Sequence, residues 1–164
     1  MALTEVAENS LFSFAGNSDV AAFETAAPDT GCDWLRACVR FSGPIGGQLS
    51  LTAPATLVRR LAASFAGADT ADDIGDGDLA DFAGELANMV CGAWLTRACG
   101  REPFALAPPR VFPGQRLGAD AGPGGTNPGV FYLALDDTPI RLEIDWGVAR
   151  PAAVGAMPEC TDAR

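Results

Sequence analysis

The stretch WLRACVRFSGPIGGQLSLTAPATLVRRLAASFAG, residues 34–67, decides the architecture. From Trp34 to Phe41 the residues alternate, with Leu35, Ala37, Val39 and Phe41 on one side and Arg36 and Arg40 on the other. That period of two is the pattern of a strand buried on one face. Gly43, Pro44, Gly46 and Gly47 supply a turn. Gln48 to Thr52 then form a second strand with Leu49 and Leu51 facing in, so residues 34–52 read as a β-hairpin. Pro54 opens a helix at or near its first position, where a missing N–H is no loss. Leu57, Val58, Leu61, Ala62 and Phe65 recur at helical spacing until Gly67.

Downstream, Asp69, Asp72, Asp73, Asp76 and Asp78 crowd the segment 69–77. A calcium loop needs ligands at fixed positions; counted from Asp72, its third position is Ile74 and its twelfth Ala83, so the pattern fails. An acidic helix start remains, in which aspartates cap free amides and suit the helix dipole. The helix spans residues 78–99. Residues 100–129 are rich in Gly and Pro and predict irregular backbone with at most a short strand near Val111 and Phe112. Phe131, Leu133 and Leu135 alternate, Asp136 to Pro139 turn the chain, and Ile140, Leu142, Ile144 and Trp146 alternate against Arg141, Glu143 and Asp145, a second hairpin. Upstream, Thr4 caps a first helix whose stripe is Leu3, Val6, Leu11 and Phe14 and which ends at Gly16. Two hairpins interleaved with three helices predict an α+β domain, an antiparallel sheet with helices packed on one face.

Composition narrows the chemistry. A chain of 164 residues suits one domain, and 48% hydrophobic residues exclude wholesale disorder. No stretch approaches the ~18 to 20 uninterrupted apolar residues of a membrane span. The start MALTEVAENSLFSF carries glutamates where a secretory signal carries positive charge, which predicts a cytoplasmic protein. There is no histidine, so imidazole general bases, Ser-His and Cys-His nucleophiles and imidazole metal sites are all excluded. The five cysteines, Cys32, Cys38, Cys91, Cys99 and Cys160, contain no C-x-x-C pair; they read as reduced, buried thiols, and no metal site is expected. All eleven positive charges are arginine and the net charge is −10, which disfavours nucleic acid and anionic membranes as partners.

The helix DLADFAGELANMVCGAWLTRACG holds the candidate site. At 100° per residue, Phe82, Leu86, Met89, Val90, Ala93 and Trp94 form an apolar arc that faces the sheet. Asp81, Glu85, Asn88 and Gly92 fall on the opposite side, flanked by the small residues Ala80, Gly84 and Cys91. A helix-interior Asn is unfavourable and each helix-interior Gly costs about 1 kcal/mol against Ala, so this face is not built for helix stability.

The spacing Asp81-x3-Glu85-x2-Asn88, followed by Met89 and Gly92 in GELANMVCG, resembles the signature helix of the CheC, CheX and FliY phosphatases of bacterial chemotaxis. Residues 41–67 resemble that family's hairpin followed by a helix. The family's later proline falls near position 111, where this chain has Val111, and Pro109 in PPRVFPG is taken as its equivalent. One E-x-x-N helix makes the chain most similar to single-site CheX. The resemblance implies one CheX-like domain over residues 1–150 with a loose tail from 151 to 164, and a homodimer. It implies hydrolysis of the phospho-aspartate of a CheY-like receiver domain, with Asn88 placing the attacking water and Glu85 docking the receiver. Asp81, Gly84, Cys91 and Gly92 would complete the partner surface. The receiver would supply magnesium, and this chain no cofactor of its own. The alternative implied by the same resemblance is a catalytically silent module that binds a receiver or another signalling partner.

Overall fold

In the computed structural model residues 15–25, 34–114 and 127–148 are described. In chain order they form β1 (Ala15–Asn17), α1 (Val20–Thr25), β2 (Trp34–Ser42), β3 (Ile45–Pro54), α2 (Ala55–Ala66), a 3-10 turn (Ala71–Asp73), α3 (Asp76–Cys99), β4 (Ala105–Leu106), β5 (Arg110–Pro113), β6 (Asn127–Leu135) and β7 (Thr138–Val148). The strands make one antiparallel sheet in the order β1-β6-β7-β3-β2, and both β4 and β5 pair with the outer edge of β2. The α+β class and both hairpins read from the sequence are present.

The register explains the core. Ala37, Leu51 and Leu142 stand side by side across β2, β3 and β7, as do Val39, Leu49 and Ile144. These rows face α2 and α3, which set Leu57 and Leu61 and then Leu86 and Val90 against them, all 3% exposed or less. Burying each such side chain contributes roughly 1.5–3 kcal/mol. Pro54 does cap α2, and Gly67 closes it at φ 66°, donating its N–H to the Ala63 and Ser64 carbonyls. At the C-terminal half of α3, Trp94 packs between Phe41 and Trp146, with ring centroids 5.7 and 5.6 Å away.

Several local readings are corrected. Gly46 and Gly47 belong to β3, not to the turn; a Cβ on Gly47 would lie 2.1 Å from the Asp145 carbonyl oxygen and 2.8 Å from the Phe41 ring, so the ladder closes there only over glycine. Phe65 leaves the apolar face of α2, is 60% exposed, and lies against Phe82 at 5.7 Å. The last helix begins at Asp76, two residues earlier than expected, and its N-cap is Gly75 with no side-chain bond. Asp76 and Asp78 do stand in its first turn, as an acidic helix start requires, while Asp73 closes a capping box with Thr70 and Asp76 also pairs with Arg59 at 2.8 Å. Asp136 and Asp137 alone turn the second hairpin, both at positive φ, while Thr138 and Pro139 lie in β7.

The other face of the sheet is partly covered by α1, which was not foreseen. Asp19 caps it by accepting the Ala22 N–H at 2.7 Å, and Phe23 packs on Trp34 and Tyr132 at 5.0 and 5.6 Å. The helix expected over residues 4–14 and the tail from 151 lie outside the described residues.

Candidate functional site

The site is built on α3, whose Leu79, Ala83, Leu86, Ala87 and Val90 are anchored in the core. That anchoring turns Asp81 and Glu85 to solvent and leaves Asn88 and Gly92 half-buried beside them. A Cβ at Gly92 would meet nothing within 4 Å, so the helix surface is low one turn beyond Asn88. Asn88 Nδ2 donates to Glu85 Oε2 at 3.5 Å, a long contact between the two candidate side chains. Asn88 Oδ1 is buried without a partner. A buried carbonyl in that state costs about 1–3 kcal/mol relative to a satisfied one. Placing a water through this oxygen requires it to face outward, and in the structure it is turned in.

Gly84 and Cys91 do not belong to the exposed surface expected of them. Cys91 is fully buried, and burial pushes its thiol up to about 12, so it is neither a docking group nor a ready nucleophile. Gly84 is buried beneath Pro109: a Cβ there would lie 2.9 Å from Pro109 Cγ, 3.2 Å from its Cβ and 3.7 Å from Val111 Cγ2. Glycine in mid-helix therefore admits a proline from another segment, where the expectation had been close approach by a partner.

The reason Pro109 reaches the helix lies in the edge of β2. Leu106 pairs with Phe41 and Arg110 with Cys38, so residues 107–109 stand opposite only Val39 and Arg40. One residue is in excess, and the edge bulges. Ala107 still donates to the Arg40 carbonyl at 2.8 Å, but Pro108 and Pro109 have no N–H to return to the ladder. The chain lifts away and lays the Pro109 ring on Gly84, next to Glu85. A mid-helix glycine facing a distant Pro-Pro pair was the signal available for this contact, and helical periodicity alone does not link them.

Among the described residues no group of three or more His, Cys, Asp or Glu is placed to hold a metal ion, and no helix is long and apolar enough to cross a membrane.

Solved structures share this arrangement of sheet and helices. CheX from Vibrio vulnificus superposes with a TM-score of 0.66 at 17% identity, covering 89% of this chain and 91% of that one. A CheC-like protein from Shewanella oneidensis gives 0.62 at 21% identity, with 89% and 93% covered. The CheX–CheY–BeF3–Mg complex from Borrelia burgdorferi gives 0.59 at 15%, with 88% and 92% covered. These likenesses define an α+β domain of the CheC and CheX fold. No curated protein matches at a significant level. The family model for the chemotaxis phosphatase CheX matches residues 35–133, and the chain belongs to that family.

Proposed function

We propose that the Glu85–Asn88 face of α3 removes phosphate from the phospho-aspartate of a CheY-like receiver domain. The observation that carries this reading is the pair itself, adjacent on one accessible face of α3 in a chain of the CheX family. The solved complex of a CheX with CheY, BeF3 and magnesium supports a receiver as the partner. An acyl phosphate already held by the receiver's magnesium and lysine needs no nucleophile from the phosphatase. It needs a water in line and charge stabilised on the transferring group. Asn88 supplies the first as a positioner rather than a base. Glu85 pairs with the receiver lysine and sets the docking angle, with Asp81 and the low surface at Gly92 beside it.

The inward Asn88 oxygen adds a step. For Oδ1 to hold water, the amide must turn, which breaks the Nδ2 contact to Glu85. Drawing Glu85 onto the receiver lysine removes that contact and leaves the amide free to turn. A binding module without turnover is the second reading, and it takes the inward oxygen as the working state.

Phosphate release from phosphorylated receivers separates the two. Wild type accelerates decay; Asn88→Ala lowers the rate at least about 100-fold with binding retained; Glu85→Ala weakens binding, since a docking charge contributes affinity and orientation. If wild type binds receivers and none decays faster, the silent reading replaces the enzymatic one. The homodimer implied by the resemblance is tested by light scattering.

A further inference from the structure

The second face of the sheet holds a cavity that the α3 site does not use. It opens beside the 107–109 bulge, has a volume of ≈ 490 Å³, and is lined among others by Arg36, Arg40, Arg110, Gln48, Pro109 and Phe112. No carboxylate stands among its lining residues. Three of the eleven positive groups of a chain with net charge −10 are thus held around one hollow, against their mutual repulsion.

A chain of side-chain bonds holds Arg36 and reaches Arg40 through one long contact. Arg40 Nε donates to Gln48 Oε1 at 3.5 Å, and Gln48 Nε2 and Arg36 Nη2 both donate to Ser50 Oγ, at 3.1 and 3.3 Å. With both lone pairs of Ser50 engaged, its proton is left for Cys38 Sγ at 3.3 Å. Arg36 also shares a carboxylate: Glu143 lies 2.8 Å from Arg141 Nη2 and 3.8 Å from Arg36 Nη2. Arg141 takes the nearer contact with that carboxylate, and Arg36 Nε is buried with no hydrogen-bond partner. Guanidinium groups gathered at one hollow and an orphan buried donor are what an oxyanion requires of its receptor.

We propose that this cavity binds a small organic anion, its phosphate or carboxylate head held by Arg36, Arg40 and Arg110 and its body against Phe112 and Pro109. The planar guanidinium fork matches either head group, and the volume lies within the roughly 300–1,000 Å³ of small-molecule sites. Pro109 is wall to the cavity and lid to Gly84 at once. An occupant that moves the bulge therefore changes the surface beside Glu85 and Asn88, a coupling that rests on the proposed function of that pair.

Isothermal titration in low-chloride buffer with inorganic phosphate, pyrophosphate and malonate tests the site directly. Saturable binding is expected, weakened about tenfold by Arg40→Gln and by Arg110→Gln and unchanged by Arg60→Gln, which removes an equal charge elsewhere. Tighter pyrophosphate than malonate assigns a phosphate head, and the reverse a carboxylate. No saturable heat up to about 20 mM of any of the three, or equal affinity in both cavity variants, overturns the proposal. Amide resonances of Gly84 and Glu85 that shift on saturation carry the coupling; if they stay fixed while the anion binds, the coupling falls and the site stands. Neither readout depends on receiver dephosphorylation.

Discussion

On the face of the sheet covered by α2 and α3, the row Val39, Leu49 and Ile144 is aliphatic. One residue along the same strands, the rows Cys38, Ser50, Glu143 and Arg36, Thr52, Arg141 are polar, yet Ser50 is only 2% exposed, Thr52 1% and Arg141 7%. The second face is enclosed only at these rows, with Arg40 exposed and Gln48 half-buried beside them, and enclosure acts differently on the two faces. Aliphatic groups gain from it in proportion to area. Polar groups gain only if matched, and Thr52 Oγ1 and Arg141 Nε and Nη1 have no partner. These donors, and the acceptor Glu143 Oε2, lack hydrogen-bond partners on the face that bears the arginine cavity. The apolar face, with nothing to match, holds α3 rigid enough to present Glu85 and Asn88.

Paired substitutions break this contrast. Leu86→Ala empties the apolar side and should lower unfolding free energy by about 2–5 kcal/mol. Thr52→Val keeps shape while deleting an unpartnered hydroxyl, and should be neutral or stabilising by up to about 1 kcal/mol. Urea titration reads both, and a large loss in Thr52→Val would mean the hydroxyl is matched after all. The apolar side can also be attacked with charge. Burial lifts the Cys91 thiol to about 12, so the folded protein keeps a proton that the unfolded chain loses. Its contribution is intact below the unfolded thiol value of about 8.5 and falls as pH rises, by roughly 1.4 kcal/mol per unit until the folded value is reached. Unfolding measured between pH 8 and 10.5 should show that slope in wild type and lose it in Cys91→Ala.

Much of the apolar face was legible because its signals are local. Period-two alternation marked β2, β3, β6 and β7, and Pro54 and Gly67 punctuated α2. The 100° rule placed Glu85 and Asn88 together, since that depends on the helix alone. Gly84 and Cys91 sit at the margin of the apolar arc, where burial is decided by what else arrives. The 107–109 bulge arrives over Gly84, a contact between distant segments that no periodicity encodes. Arg36, Ser50, Thr52 and Arg141 read as solvent-facing because they are polar, and their enclosure follows from tertiary packing such as α1 over the second face. The α1 helix had a readable cap in Asp19 but, at six residues, is too short for a stripe. The inward turn of Asn88 is a side-chain torsion and leaves no trace in residue order.

The bulge is the joint between the two faces, and glycine substitution on α3 tests it with the smallest effect. Gly92 and Gly84 occupy the same helix and each gives up about 1 kcal/mol of propensity against alanine. At Gly92 an added Cβ meets open space, so Gly92→Ala should recover most of that amount. At Gly84 it meets the Pro109 ring at 2.9 Å, and a proline ring yields little. Overpacking of this kind typically costs about 1–3 kcal/mol, so Gly84→Ala should be neutral or destabilising despite the same propensity gain. Pro109→Ala removes the obstacle, and in the double variant the propensity gain should return, giving a coupling of at least about 0.5 kcal/mol between positions 84 and 109. Equal stabilisation at both glycines, with no coupling to Pro109, would show that the proline does not rest on the helix, and would cut the connection between the cavity and the Glu85–Asn88 face.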